Sequence, residues 1–163
     1  MLRRIAAFVL FIGVAATSTA PTLPQMRLTP DEVTARVTHV TGNQVGSSGL
    51  PGVQTTALYG DASKEGFYTI LIYVPAHTTI QAHSHRDNRI AVVLSGTWNF
   101  GYGPKFDEKS LKNMPPGSVY SEPAGVNHFA RTDDAPSIVQ ISGVGPTNAV
   151  YFDSTNDPSK KHQ

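Results

Sequence analysis

The chain contains no cysteine in 163 residues. Disulfides, thiolate metal sites and cysteine nucleophiles are thereby excluded. Charge is sparse as well. Asp, Glu, Lys and Arg supply 15% of the residues and nearly cancel, for a formal +1. Such a balance carries no electrostatic footprint for nucleic acid, and none is expected as a partner. There is no P-loop, no G-x-S-x-G elbow and no dinucleotide fingerprint; "GYGP" lacks the strand–glycine–helix setting that such a site needs. Long apolar runs are missing too. The longest, residues 5–16, falls short of the roughly 20 residues of a membrane span. What is plentiful is turn chemistry, with 14 glycines and 12 prolines beside a hydrophobic content of 39%. That is the composition of one globular domain with many reversals, long enough to bury its own core.

The first twenty residues, "MLRRIAAFVLFIGVAATSTA", have a basic start, an apolar middle and small residues at the end. This is the build of a secretory signal peptide, with cleavage expected after Ala20, Ser18 or Ala16. Its removal takes Arg3 and Arg4 and turns the formal +1 into −1. A periplasmic or secreted protein, free of the membrane after processing, is the expectation. Residues 21–50 read as linker and short helix, with Thr29 as N-cap, Pro30 at the first helical position and Glu32 completing a capping box. From residue 51 to 153 the texture changes to about nine short β-branched and aromatic runs, separated mostly by Gly, Pro, Asn or Asp. That spacing predicts an all-β sandwich or barrel. Residues 154–163 read as a polar, frayed tail.

In "HSHRDNRIAVVLSG" two histidines stand one residue apart at the mouth of an apolar strand. Side chains at i and i+2 share a face of a strand, so His83 and His85 can reach one metal ion. Three residues separate His85 from Arg89, and six more precede Gly96. Further on, "GSVYSEPAGVNH" runs from Gly117 through Pro123-x-Gly125 to His128. With these spacings the two blocks resemble the paired motifs of the cupin superfamily, and the likeness spans roughly residues 52–152. The chain is similar to small single-domain cupins. The resemblance implies a small antiparallel jelly-roll β-barrel with a short N-terminal helix. It also implies a divalent transition metal, whether Fe, Mn, Ni, Zn or Cu, held by His83, His85 and His128. The residues agree: the tight turn at Pro123-x-Gly125 can bring His128 back beside the first two.

The cupin motif carries a glutamate ligand at the position of Arg89. Arginine cannot deprotonate and cannot ligate, and strand parity turns it inward with the histidines. Three accounts are open. Arg89 can clamp an anionic substrate beside a three-histidine metal, which we favour. It can pair with Asp87 or Glu122, either of which can take the missing ligand role. Or the metal site has decayed, leaving a pocket for an anion.

Gln140, among the apolar residues of "IVQISG", is a second candidate to face the pocket, since a buried glutamine must be paired. An outward place on an edge strand is its alternative. Trp98, Phe100 and Tyr102 read as barrel core, Tyr120 as a hydroxyl that can approach the site, and His39, His77 and His162 as surface. Asp107 and Glu108 belong to a solvated loop. The functional expectation is an exported metal-binding cupin acting on a small, anionic molecule by Lewis-acid or dioxygenase-like chemistry. The alternative is a non-catalytic ligand-binding or sensing module with a structural metal or none. By resemblance, a homodimer is possible.

Overall fold

Alternating inward and outward side chains along ten strands build two facing sheets. The computed structural model describes residues 22–38 and 45–160. The segment read as an export signal lies outside them, as do His39 and His162. The strands are β1 (Gln54–Tyr59), β2 (Gly66–Val74), β3 (Thr79–Ser84), β4 (Arg89–Ser95), β5 (Trp98–Tyr102), β6 (Lys112–Met114), β7 (Val119–Glu122), β8 (His128–Thr132), β9 (Ser137–Gly145) and β10 (Val150–Tyr151). One sheet has the order β1-β2-β9-β4-β7 and the other β10-β3-β8-β5-β6, with every pairing antiparallel. This is the expected jelly roll. The three-residue β6 was not among the expected strands, because it is too short to show an alternation.

Between the sheets lies an apolar core that includes Tyr68, Ile70, Val74, Ala91, Val93, Phe100, Val139 and Ile141. Trp98 joins it, but Tyr102 is half-exposed and its hydroxyl donates to the Ser121 carbonyl at 2.6 Å. β2 is buried on both faces, which explains its continuous apolar run. Its outward Leu71 is covered, with Ile138 of β9, by helix α1 (Pro30–Thr38) through Val37. Burying one such valine contributes about 1.5–3 kcal/mol. The capping box forms: the Thr29 backbone N–H donates to Glu32 Oε2 at 2.7 Å and the Thr29 hydroxyl to the same atom at 2.9 Å. Among the described residues no helix is long and apolar enough to cross a membrane.

Residues 154–160 of the tail are ordered, against the expectation of fraying, and 161–163 lie outside the described residues. Ser154–Asn156 and Pro158–Lys160 form 3₁₀ turns. Asp153 accepts from the Thr155 N–H at 2.9 Å, Asp157 accepts from the Ser159 N–H at 3.0 Å, and Pro158 is buried. Side-chain caps give this polar stretch local order that its composition conceals.

At the end of the barrel, between β3 and β4, Asp87 turns inward. It accepts from the Tyr68 hydroxyl at 2.6 Å and the Thr147 hydroxyl at 2.5 Å. Gly143 on β9 makes room for this cluster: a Cβ there would sit 2.8 Å from both Asp87 Oδ2 and the Tyr68 hydroxyl. Gly143→Ala is therefore expected to destabilise the protein by about 1–3 kcal/mol through overpacking. Urea unfolding checks this, and an unchanged midpoint would show that the cluster has slack.

Candidate metal centre

The centre begins with an irregularity in a strand. Along β3, Ile80 and Ala82 are buried in alternation, and then the pairing with β8 shifts register between Ile80 and His83. The shift buries His83 directly after Ala82, and alternation then carries His85 inward as well. His83 pairs in register with His128, the first residue of β8, so two of the three rings come from facing positions of adjacent strands. Their centroids lie 4.5 Å apart.

Each ring is held by a backbone carbonyl at Nδ1. His83 bonds Gln81 at 2.8 Å, His128 bonds Val126 at 3.2 Å, and His85 bonds Asn148. A carbonyl oxygen only accepts, so Nδ1 carries the proton and Nε2 keeps its lone pair. The three candidate ligand atoms lie within 4.8 Å of one another, and Nε2 of His85 and of His128 are buried without a hydrogen-bond partner. Orphaned lone pairs that converge from tethered imidazoles fit a transition-metal ion. Burial holds the rings neutral. It lowers His83 to about 3, reinforced by His128, and His128 to about 4, reinforced by Arg89; His85 is lowered further still, again by burial and then Arg89.

Arg89 is 3% exposed and faces inward, as parity required. Its anion is not free for a substrate to supply. The side chain donates from Nε to Glu122 Oε2 at 2.5 Å and from Nη1 to the Gly46 carbonyl at 2.9 Å, while Nη2 also contacts Glu122 Oε2. The internal pair of the second account is therefore present, with Arg89 still lining the cavity. Breaking a buried pair of this kind from one side costs about 3–5 kcal/mol. Of the two carboxylates in question, Asp87 is engaged by Tyr68 and Thr147, and Glu122 is the one that Arg89 binds.

Gln140 is placed elsewhere. Val139 and Ile141 line the cavity beside the histidines, so alternation sends Gln140 to the opposite face of β9. It does not face the site, which corrects that candidate. Tyr120 does line the cavity, and burial, reinforced by Glu122, raises its phenol well above the usual value. Sequence reasoning missed Ser48, which also lines the cavity and has a buried hydroxyl without a partner. Its position depends on how the segment before β1 folds back, and no local pattern encodes that. The cavity itself measures about 30 Å³.

No protein-family model matches the chain. Among solved structures it superposes on a cupin-superfamily sugar phosphate isomerase from Silicibacter pomeroyi with a TM-score of 0.51, at 19% identity, covering 72% of this chain and 76% of that one. The chain has the cupin fold. A DMSP lyase from Ruegeria pomeroyi superposes on this chain with the same score of 0.51, at 22% identity, over 74% of this chain and 56% of that one. In sequence, the chain is 31% identical over 72 residues to H2HPP isomerase of Bacillus subtilis. That match covers 44% of this chain and 29% of the relative, so it spans under a third of the relative's length.

Neutral buried histidines make the metal-free protein acid-sensitive. Unfolded histidines bind protons near pH 6.5, whereas folded His128 and His83 resist until about 4 and about 3. In that window the unfolded state holds more protons, so stability falls as pH drops below 6.5. The expected slope is about 1 kcal/mol per pH unit for each histidine. Urea unfolding of chelator-treated protein from pH 7 to 4 checks it; His128→Gln should flatten the slope, and a flat wild-type profile would mean that the rings are solvated.

Proposed function

We propose that this cupin is an exported, metal-dependent enzyme acting on a small anionic molecule, with the ion held by His83, His85 and His128. The observation that carries the reading is the convergence of Nε2 lone pairs whose tautomers are fixed by backbone carbonyls. A divalent ion bound there, Fe, Mn, Ni, Zn or Cu, supplies Lewis acidity, or an O₂-binding centre if it is redox-active.

The chain's own residues define what else happens in the pocket. Arg89 and Glu122 cancel in charge, the histidines are neutral and the buried Asp87 carboxylate offsets one charge of a bound dication. One positive charge then stays unbalanced in a pocket walled by Ile72, Val74, Ile80, Val139 and Ile141. A substrate carboxylate or comparable anion offsets that charge in a medium of low dielectric. The anionic preference thus follows from the ion, not from Arg89. Tyr120 stays protonated and serves as a hydrogen-bond donor, and Ser48 brings an uncommitted hydroxyl. The apolar walls exclude water. Isomerase and lyase are the activities named for the proteins this chain resembles, and Lewis-acid chemistry on a small organic anion is the class we favour. The narrowness of the cavity supports a second reading, a binding or sensing module in which the metal is structural.

Protein purified without chelator or affinity tag should carry near-stoichiometric transition metal, and His83→Ala should carry almost none. Calorimetry on the loaded wild type should show pyruvate binding at least about tenfold more tightly than uncharged pyruvamide, or about 1.4 kcal/mol. Wild type that stays empty when offered Zn, Ni, Fe, Mn and Cu would overturn the metalloenzyme reading. A filled site indifferent to both probes would favour the structural metal.

A further inference from the structure

Arg89 and Glu122 face each other in register across the β4–β7 pair. Arg89 stands where the cupin motif carries its acidic ligand. We propose that Glu122 is the fourth ligand of the metal centre, displaced one strand sideways, and that Arg89 is the residue that positions it. The proposal rests on the metal-centre reading above and deepens it.

Glu122 is 3% exposed, and its two oxygens are shared out between the histidines. Oε2 lies 3.7 Å from His85 Nε2, and Oε1 lies 3.8 Å from His128 Nε2. These separations exceed a hydrogen bond. They are a few tenths of an ångström wider than the about 3.4 Å between neighbouring ligands in a tetrahedral site with bonds of about 2.1 Å. Glu122 lies beside the 4.8 Å group of the three histidine nitrogens rather than within it, so ligation asks the carboxylate to close up on the ion. The chemistry of the contact is the stronger argument. With Nδ1 of each ring donating to a carbonyl, both facing nitrogens present lone pairs, and a carboxylate presents only lone pairs. Acceptor is set against acceptor in a buried, apolar place, and no protein donor lies between His85 Nε2 or His128 Nε2 and the carboxylate. A cation between them satisfies every atom at once.

Arg89 accounts for the carboxylate's aim. Its hydrogen bond from Nε and its Nη2 contact both fall on Oε2, and Nη1 is fastened to the Gly46 carbonyl, so the fork holds Glu122 from behind and leaves Oε1 turned toward His128. The nearby alternative, Asp87, has both oxygens occupied by Tyr68 and Thr147.

The test is zinc affinity by chelator competition for wild type, Glu122→Gln and the double variant Arg89→Met/Glu122→Gln, with a crystal structure of the zinc-loaded wild type. Glu122→Gln should bind zinc about 100-fold or more weakly, at or beyond the upper end of what outer-shell partners cost. The double variant should stay weak, because the ligand is still missing. In the loaded wild type a Glu122 oxygen should lie about 2.0–2.2 Å from zinc. If Glu122 only neutralises Arg89, the double variant regains wild-type affinity and the carboxylate stays beyond ligand distance while the histidines coordinate. That result overturns the proposal and leaves the three-histidine centre standing. Wild type that takes up no zinc or other transition metal overturns both. Should a variant fail to fold by circular dichroism, the distance in the loaded wild type decides alone.

Discussion

Everything at the centre of this barrel depends on a rule about protons: a carbonyl oxygen can only accept. Three carbonyls, from Gln81, Asn148 and Val126, each take the Nδ1 proton of a histidine. The outer nitrogens are then left as acceptors in a pocket whose other walls are largely hydrocarbon. Burial reinforces the choice by making the doubly protonated ring unfavourable. The jelly roll supplies the rest, since adjacent strands β3 and β8 bring His83 and His128 face to face. The fold thus acts on the three histidines chiefly through main-chain atoms, which no side-chain substitution at those three positions would remove.

The barrel was legible because most strands present one face to the core and one to water or to α1, and glycine and proline mark their ends. His83 and His85 were legible as a pair sharing one face, and Arg89 as inward by the same parity. The step that was not legible is the register shift in β3 that turns His83 inward, because a bulge is set by the partner strand rather than by local sequence. Arg89 shows the same limit from another side. Its inward direction follows from alternation, but its partner follows from the β4–β7 register, a contact between residues 33 positions apart. Gln140 failed for a related reason. Ile138 under α1 and Val139 in the core are buried on opposite faces and blur the period where β9 begins, although Val139 to Ser142 then alternate with Gln140 and Ser142 outward.

The Arg89–Glu122 pair also shows how a motif can change letters and keep its charges. A strand position directly across a ladder is as close to the barrel centre as the position it replaces. An arginine inserted alone would leave an unpaired cation buried beside the three histidines. Paired with an in-register glutamate, the pair adds no net charge and a carboxylate stays within reach of His85 and His128. The departure from the motif at Arg89 is matched across the ladder by the carboxylate of Glu122.

The bond from Arg89 to the Gly46 carbonyl reaches outside the sheets, to the segment that precedes β1. The Tyr151 hydroxyl holds the same segment at the Ser48 carbonyl, 2.7 Å away. The residues that roof the cavity are therefore clamped by the guanidinium that also holds Glu122. One guanidinium thus ties the segment before β1 to the carboxylate at the centre of the barrel. Anything that redistributes charge on Glu122 acts on the entrance of the barrel as well as on its centre.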